Sequence, residues 1–127
     1  MTVALGPEYD RLSIWSDLYK DWLKSLKVGD CVLIDVNHRA NAMFKVITRE
    51  TKTRFYYDVG ITEDYFHKKD GSKPHNTGYA HPFTKTFENK TARIKKIKAI
   101  REFNFEDASD EFIDKIYGLS VAEQLAQ

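Results

Sequence analysis

Aromatic and basic side chains that could bind a nucleotide lie in the middle of the chain. Arg54 and Tyr56 are two residues apart, so they share one face of any β-strand that contains them. The hairpin and loop from Tyr65 to Tyr79 follow, and they carry aromatic, basic and amide side chains: Phe66, His67, Lys68, Lys69, Asn76 and Tyr79. Aromatic rings stack on bases, and Lys and Asn pair with phosphates and base edges. These positions are candidates for ligand binding, although Arg54 and Tyr56 also fit an ordinary cross-strand pair at the surface.

A second candidate is the basic segment Lys90 to Arg101. It is part of a run of seven basic residues against one acidic residue between residues 81 and 101. An acidic segment follows at once, with a single lysine among residues 102–127. This pattern fits a polyanion site beside a protein-binding surface, and it fits equally two solvated helices that attract one another.

No sequence signature of catalysis is present. The chain has no glycine-rich phosphate loop, no nucleophile elbow and no His-Glu-x-x-His motif. Its four histidines are His38, His67, His75 and His81, and their spacing matches no standard metal pattern. Cys31, the only cysteine, lies in a predicted strand and is expected to be a small buried residue. We therefore expect a protein that is not an enzyme and that uses no cofactor and no metal.

The composition is that of one globular domain over residues 1–127. Apolar residues make up 42% of the chain, which is enough for one core. No apolar run approaches the roughly 18–20 residues that span a bilayer. The N-terminal residues lack the basic and apolar parts of a signal peptide. The expected location is therefore the cytoplasm, with no membrane contact.

The elements that position these residues begin with a β-core over residues 28–71. Short runs rich in β-branched and aromatic residues alternate there with turn formers, which predicts an antiparallel sheet or a partly open barrel. A turn is predicted at residues 37–41, and the dipeptide Asp70-Gly71 is typical of a hairpin turn. The predicted strands are Cys31–Val36, which has apolar residues on both faces, Ala42–Thr48, Thr53–Val59 and Asp64–Lys68.

Helices are predicted on both sides of this core, which gives an α+β fold. The N-terminal segment, residues 8–26, is predicted to contain an amphipathic helix. The helix is expected to start near Ser13 and to carry Trp15 and Trp22 on one apolar stripe. Residues 72–90 read as a polar loop. Residues 91–126 form two to three C-terminal helices. Gly118 is expected to end one of them, and a capping box at Ser120 to start a short last one.

Several segments together resemble a group of small phage proteins in which a β-hairpin core precedes a basic and an acidic helix. The matching segments are Val28-Gly29-Asp30, Val46-Ile47-Thr48, Phe66 to Gly71 and a tail from Arg93 to Ile116. The resemblance spans residues 27–118, and a family of similar size and layout is the phage anti-Thoeris sponge. Members of that family capture cyclic ADP-ribose signals made by a bacterial defence system.

Membership would imply a homo-oligomer with ligand pockets between subunits, built from aromatic, Asn and Arg side chains. The residues of these types in this chain are Phe66, Asn76, Arg54 and Arg101.

Three functions are compatible with the sequence. The first is a non-enzymatic anti-defence protein that sequesters a small cyclic nucleotide. The second is a small nucleic-acid-binding module that uses Lys90 to Arg101, against which the net charge of only +1 counts. The third is a protein inhibitor of a host defence complex, such as an anti-CRISPR, that acts through its acidic C-terminal helices.

Overall fold

A computed structural model describes residues 4–36 and 42–126, and the fold it shows is α+β, as predicted. The turn expected at residues 37–41 lies outside the described residues. The chain divides into two units, residues 1–91 and 92–127, which we describe separately; a single domain over the whole chain stays a prediction. The helices are α1 (Asp17–Ser25), α2 (Lys85–Glu102) and α3 (Asp110–Ala126). The strands are β1 (Cys31–Asp35), β2 (Ala42–Val46), β3 (Arg49–Glu50), β4 (Arg54–Val59), β5 (Thr62–His67) and β6 (Ala80–Pro82).

The first unit contains two antiparallel three-stranded sheets, ordered β2-β1-β6 and β3-β4-β5. Strand β1 lies at the centre of the first sheet, as its apolar character on both faces predicts. The chain passes from β2 to β3 through Ile47 and Thr48. The Ile47 amide donates to the Asp30 carbonyl, and the Thr48 amide donates to the Tyr56 carbonyl. One stretch of chain therefore pairs first with β1 and then with β4.

The core lies on the inward face of these strands. Alternate residues of β4 point inward, and Phe55 and Tyr57 are almost fully buried. Phe66 of β5 packs beside them and has no exposed surface. Each such side chain contributes roughly 1.5–3 kcal/mol by its removal from water. These inward residues fix which side chains of β4 and β5 point outward.

Helix α1 covers this core but is shorter than predicted. It begins at Asp17, not near Ser13, because the Ser16 hydroxyl accepts a hydrogen bond from the Tyr19 amide (3.2 Å) and caps the helix. Tyr19 and Trp22 are buried. Trp15 precedes the cap and is 79% exposed, so the prediction that both tryptophans lie on one stripe is wrong.

Two buried tyrosines offer a matched test of these contacts. The Tyr19 hydroxyl donates to the Ala80 carbonyl of β6, whereas the Tyr57 hydroxyl lies near the Asp64 side chain without a hydrogen bond of good geometry to any described residue. Tyr19→Phe is therefore expected to lower the free energy of unfolding by about 1–3 kcal/mol, because it leaves a buried carbonyl unpaired. Tyr57→Phe is expected to lower it by clearly less. Urea unfolding of both variants measures the difference, and equal losses would contradict it.

The segment 72–90, predicted as a polar loop, contains regular structure. A 3₁₀ turn (Pro74–Asn76) precedes β6, and α2 begins at Lys85. Asp35 holds this segment against β1, since its carboxylate accepts from the Tyr79 amide and from His81 Nε2, both at 2.9 Å. The prediction missed β6 because only three residues pair and one of them is a proline.

The second unit contains the C-terminal part of α2, a short 3₁₀ turn (Phe105–Asp107) and α3. The Ser109 hydroxyl accepts a hydrogen bond from the Phe112 amide and caps α3 (3.2 Å). Helix α3 continues through Gly118 to Ala126, so the predicted helix end at Gly118 and the separate last helix from Ser120 are wrong. A glycine inside a helix costs only about 1 kcal/mol relative to alanine, which the surrounding helix tolerates.

Candidate functional site

The outward face of the β3-β4-β5 sheet gathers arginine, tyrosine and histidine side chains. The strand register places Arg49 opposite Tyr56, Tyr56 opposite Tyr65, and Arg54 opposite His67. Side chains that are directly opposite, or two residues apart on one strand, share a face. We call these five residues the arginine–tyrosine cluster.

The cluster is held together by contacts between guanidinium groups and rings. Arg49 Cζ lies 3.7 Å from the centroid of the Tyr56 ring, and Arg54 Cζ lies 4.0 Å from that of Tyr65. Arg54 Nη1 also donates to Tyr56 Oη at 3.4 Å. The two tyrosine rings are 5.6 Å apart, and His67 lies edge-on to Tyr65 at 5.5 Å. The result is a mixed cationic and aromatic surface.

The charges of the two arginines are balanced differently. Arg49 Nη2 forms an ion pair with Glu63 Oε1 at 2.9 Å, whereas Arg54 forms no ion pair with any residue that the structure describes. The hydrogen bond from Arg54, with the positive charge of both arginines, lowers the pKa of Tyr56. The same hydrogen bond raises the pKa of Arg54, which stays cationic. Arg54 is therefore the arginine of the cluster that has no carboxylate partner in the part of the chain that the structure describes.

The backbone beneath the cluster is held in one register. Strands β4 and β5 form a hairpin whose turn is Gly60-Ile61, with Gly60 at φ +61°, a conformation that glycine adopts readily. The buried rings of Phe55 and Phe66 pack 5.5 Å apart on the opposite face of the same strands. A face positioned in this way loses little conformational entropy when a ligand binds.

The cluster can bind planar and anionic groups. A base can stack on an aromatic ring or on a guanidinium plane, and a phosphate can pair with the guanidinium of Arg54. The hydroxyl of Tyr56 accepts from Arg54, and no hydrogen bond joins a hydroxyl of the five side chains to a general base among the described residues.

The structure separates the residues that the sequence proposed as ligand contacts. Arg54 and Tyr56 share the outward face, as predicted. Phe66 lies on the opposite face with its ring fully buried, so in this structure it offers no surface to a ligand. The reason is the pairing of β5, which turns Tyr65 and His67 outward and Phe66 inward.

The other three proposed residues take no part in the contacts that form the cluster. Lys68 Nζ binds Glu50 Oε2 at 2.6 Å and lies 4.7 Å from the centroid of the Phe55 ring. Asn76 is exposed at the 3₁₀ turn, with φ at +54°. Arg101 is exposed on α2 in the second unit.

Arg49 was not proposed as a ligand contact from the sequence, whereas Tyr65 and His67 lie in the candidate binding segment Tyr65 to Tyr79. The two-residue turn at Gly60-Ile61 fixes the hairpin register and pairs Tyr65 and His67 with Tyr56 and Arg54, a pairing that was not predicted from the sequence. Arg49 lies on a two-residue strand that follows the bend after β2, and the sequence gives no clear sign of that bend.

Residues 4–36 and 42–126 contain no group of three or more His, Cys, Asp or Glu side chains arranged to hold a metal ion. None of the helices in the described part of the chain is both long enough and apolar enough to cross a membrane.

Comparison with known protein families, curated proteins and solved structures finds no match.

Proposed function

We propose that this protein is a non-enzymatic nucleotide-binding protein and that the arginine–tyrosine cluster is its binding site. The observation that carries this proposal is Arg54, a cation that lies over the Tyr65 ring, donates to Tyr56 and has no carboxylate partner within residues 4–36 and 42–126. A nucleotide offers a planar base and an anionic phosphate, the two groups that this arrangement suits.

The ligand that we favour is a small cyclic nucleotide of the cyclic ADP-ribose type. Such a molecule carries an adenine ring that can stack and two phosphates that can pair with guanidinium groups. The resemblance of residues 27–118 to small phage proteins supports this choice. Because the cluster holds no catalytic arrangement, the activity that we propose is sequestration of the signal in the host cytoplasm, as an anti-defence function.

Single-stranded nucleic acid is the second candidate ligand. The observation that favours it is the position of the cluster on an open sheet face, where successive bases of a strand can stack on Tyr56 and Tyr65. The sequence suggests phosphate contacts for Lys90 to Arg101 as a separate feature of such a protein.

Thermal unfolding of the full chain with each ligand class tests the proposal and separates the two candidates. A ligand that binds only the folded protein raises the Tm. We expect a cyclic ADP-ribose isomer to raise the Tm at both low and high salt. A shift with single-stranded DNA that disappears at high salt would favour nucleic acid, because strand binding releases counterions. No shift with any nucleotide, cyclic or polymeric, would contradict nucleotide binding altogether.

A further inference from the structure

The second unit exposes an unusual amount of apolar surface for a folded segment. No residue of α2, α3 or the 3₁₀ turn between them is buried. Their large apolar side chains are instead open to solvent: Ile94, Ile100, Phe103, Phe105, Phe112, Ile113, Tyr117, Leu119 and Leu125. A pair of helices without a core gains little from packing and requires a further surface for stability.

Part of this apolar surface forms a cleft of about 680 Å³. Three phenylalanine rings of the connector and α3 line one part of it, with Phe103 4.9 Å from Phe105 and 5.2 Å from Phe112. Ile116 and Leu119 continue the lining along one face of α3, and Glu123 lies among the lining residues one turn further on. The cleft therefore presents apolar side chains and a carboxylate.

The charges of the two helices are opposite in sign. From Ala92 to its end, α2 has five basic residues and one acidic residue, whereas α3 has four acidic residues and one basic residue. In residues 92–126 the ion pairs lie within single helices: Lys98 with Glu102, and Lys115 with Glu111. The basic surface of α2 and the acidic surface of α3 are thus not paired with each other inside this unit.

We propose that this cleft is a dimerisation surface and that its occupant is a second copy of the same chain. A two-fold arrangement presents the same patch from both protomers, so α2 of one copy can lie against α3 of the other. The basic α2 of each protomer then contacts the acidic α3 of the other, so the interface contains this charge pairing two times. The apolar side chains of the cleft in both protomers are buried in the same interface. The second copy is favoured over an unrelated partner because the chain itself supplies both halves of the charge pattern.

Sedimentation velocity of the full chain with two matched variants tests this proposal. Leu119 lines the cleft, whereas Leu125 lies on roughly the opposite side of the same helix and does not line it. Both side chains are mostly exposed, at 68% and 82%, so a glutamate at either position should not prevent folding. We expect the wild-type chain and Leu125→Glu to be dimeric. Leu119→Glu should weaken self-association by more than about tenfold, because it buries a charge in an apolar contact.

Three results would overturn the proposal. A wild-type chain that stays monomeric at high micromolar concentration would leave the cleft to another protein or to an apolar molecule. Equal self-association of Leu119→Glu and Leu125→Glu would place any dimer contact outside the cleft. A dimer whose dissociation constant does not rise with salt would exclude the pairing of α2 with α3 of the second copy, since exposed opposite charges are screened by salt.

Discussion

Replacement of Tyr65 by alanine is expected to weaken nucleotide binding by about tenfold or more. The ring supplies a stacking surface, and stacking of one base on an aromatic side chain is worth about 1–3 kcal/mol. It also supports the guanidinium of Arg54, which lies 4.0 Å above it, so its loss removes a stacking partner and leaves the cation less well positioned. Isothermal titration of the full chain with the ligand identified by thermal unfolding measures the effect.

Tyr117→Ala is the matched control for this experiment. Tyr117 is a tyrosine on α3 in the second unit, is 71% exposed and has no part in the cluster. Its replacement should leave the ligand dissociation constant unchanged. Arg54→Lys adds a second comparison. Lysine keeps the positive charge but lacks the planar guanidinium, which can stack on a base and form two hydrogen bonds to one phosphate. Binding that survives both Tyr65→Ala and Arg54→Lys would show that the ligand site lies elsewhere.

Phe66→Ala is expected to cause the largest loss of stability among single changes in the β-core, about 3–5 kcal/mol. The ring has no exposed surface and packs against Phe55 and Tyr57, so its removal leaves a cavity that rigid strands cannot close. Domains of this size are stable by only about 5–15 kcal/mol, so the variant would be close to unfolding. Urea unfolding followed by circular dichroism gives the value.

Two further variants connect this result to the site. Phe44→Ala is the size-matched control. Because Phe44 is 46% exposed, its replacement should lower the free energy of unfolding by clearly less than that of Phe66. Phe66→Leu keeps most of the volume and should remain folded, so its ligand affinity can be measured directly. An unchanged affinity is expected from the buried position of the ring. A folded Phe66→Leu protein that no longer binds nucleotide would instead restore Phe66 as a ligand contact.

The sequence predicts those parts of the site that follow from alternation within one strand. In β4, the charged Arg54 and Asp58 share one face and the apolar Phe55 and Val59 share the other, so the outward position of Arg54 and Tyr56 follows although Phe55, Tyr56 and Tyr57 are consecutive aromatics. In β5, the adjacent aromatics Tyr65 and Phe66 each share a face with a polar residue, so either could point inward. Pairing with β4 decides between them, and that pairing is a property of the folded hairpin.

The boundaries that the sequence missed have local physical causes. Ser13 and Ser16 are both suitable caps, and the observed helix uses Ser16, which leaves Trp15 outside α1. Strand β6 is too short to show a periodic pattern, and it is recognised only by its pairing with β1. Gly118 resembles a helix end, yet α3 passes through it, since one glycine costs only about 1 kcal/mol and the good helix formers Leu119, Ala122 and Glu123 follow.

The five residues of the arginine–tyrosine cluster all lie between residues 49 and 67, and this has an evolutionary consequence. A single short stretch of coding sequence specifies the whole surface, whereas the inward positions of the same stretch, Phe55, Tyr57 and Phe66, are held by the core. Substitutions at alternate codons can therefore change the charge and shape of this surface while the core positions between them stay the same. Under the proposed function, ligand preference can change in this way without rebuilding the scaffold.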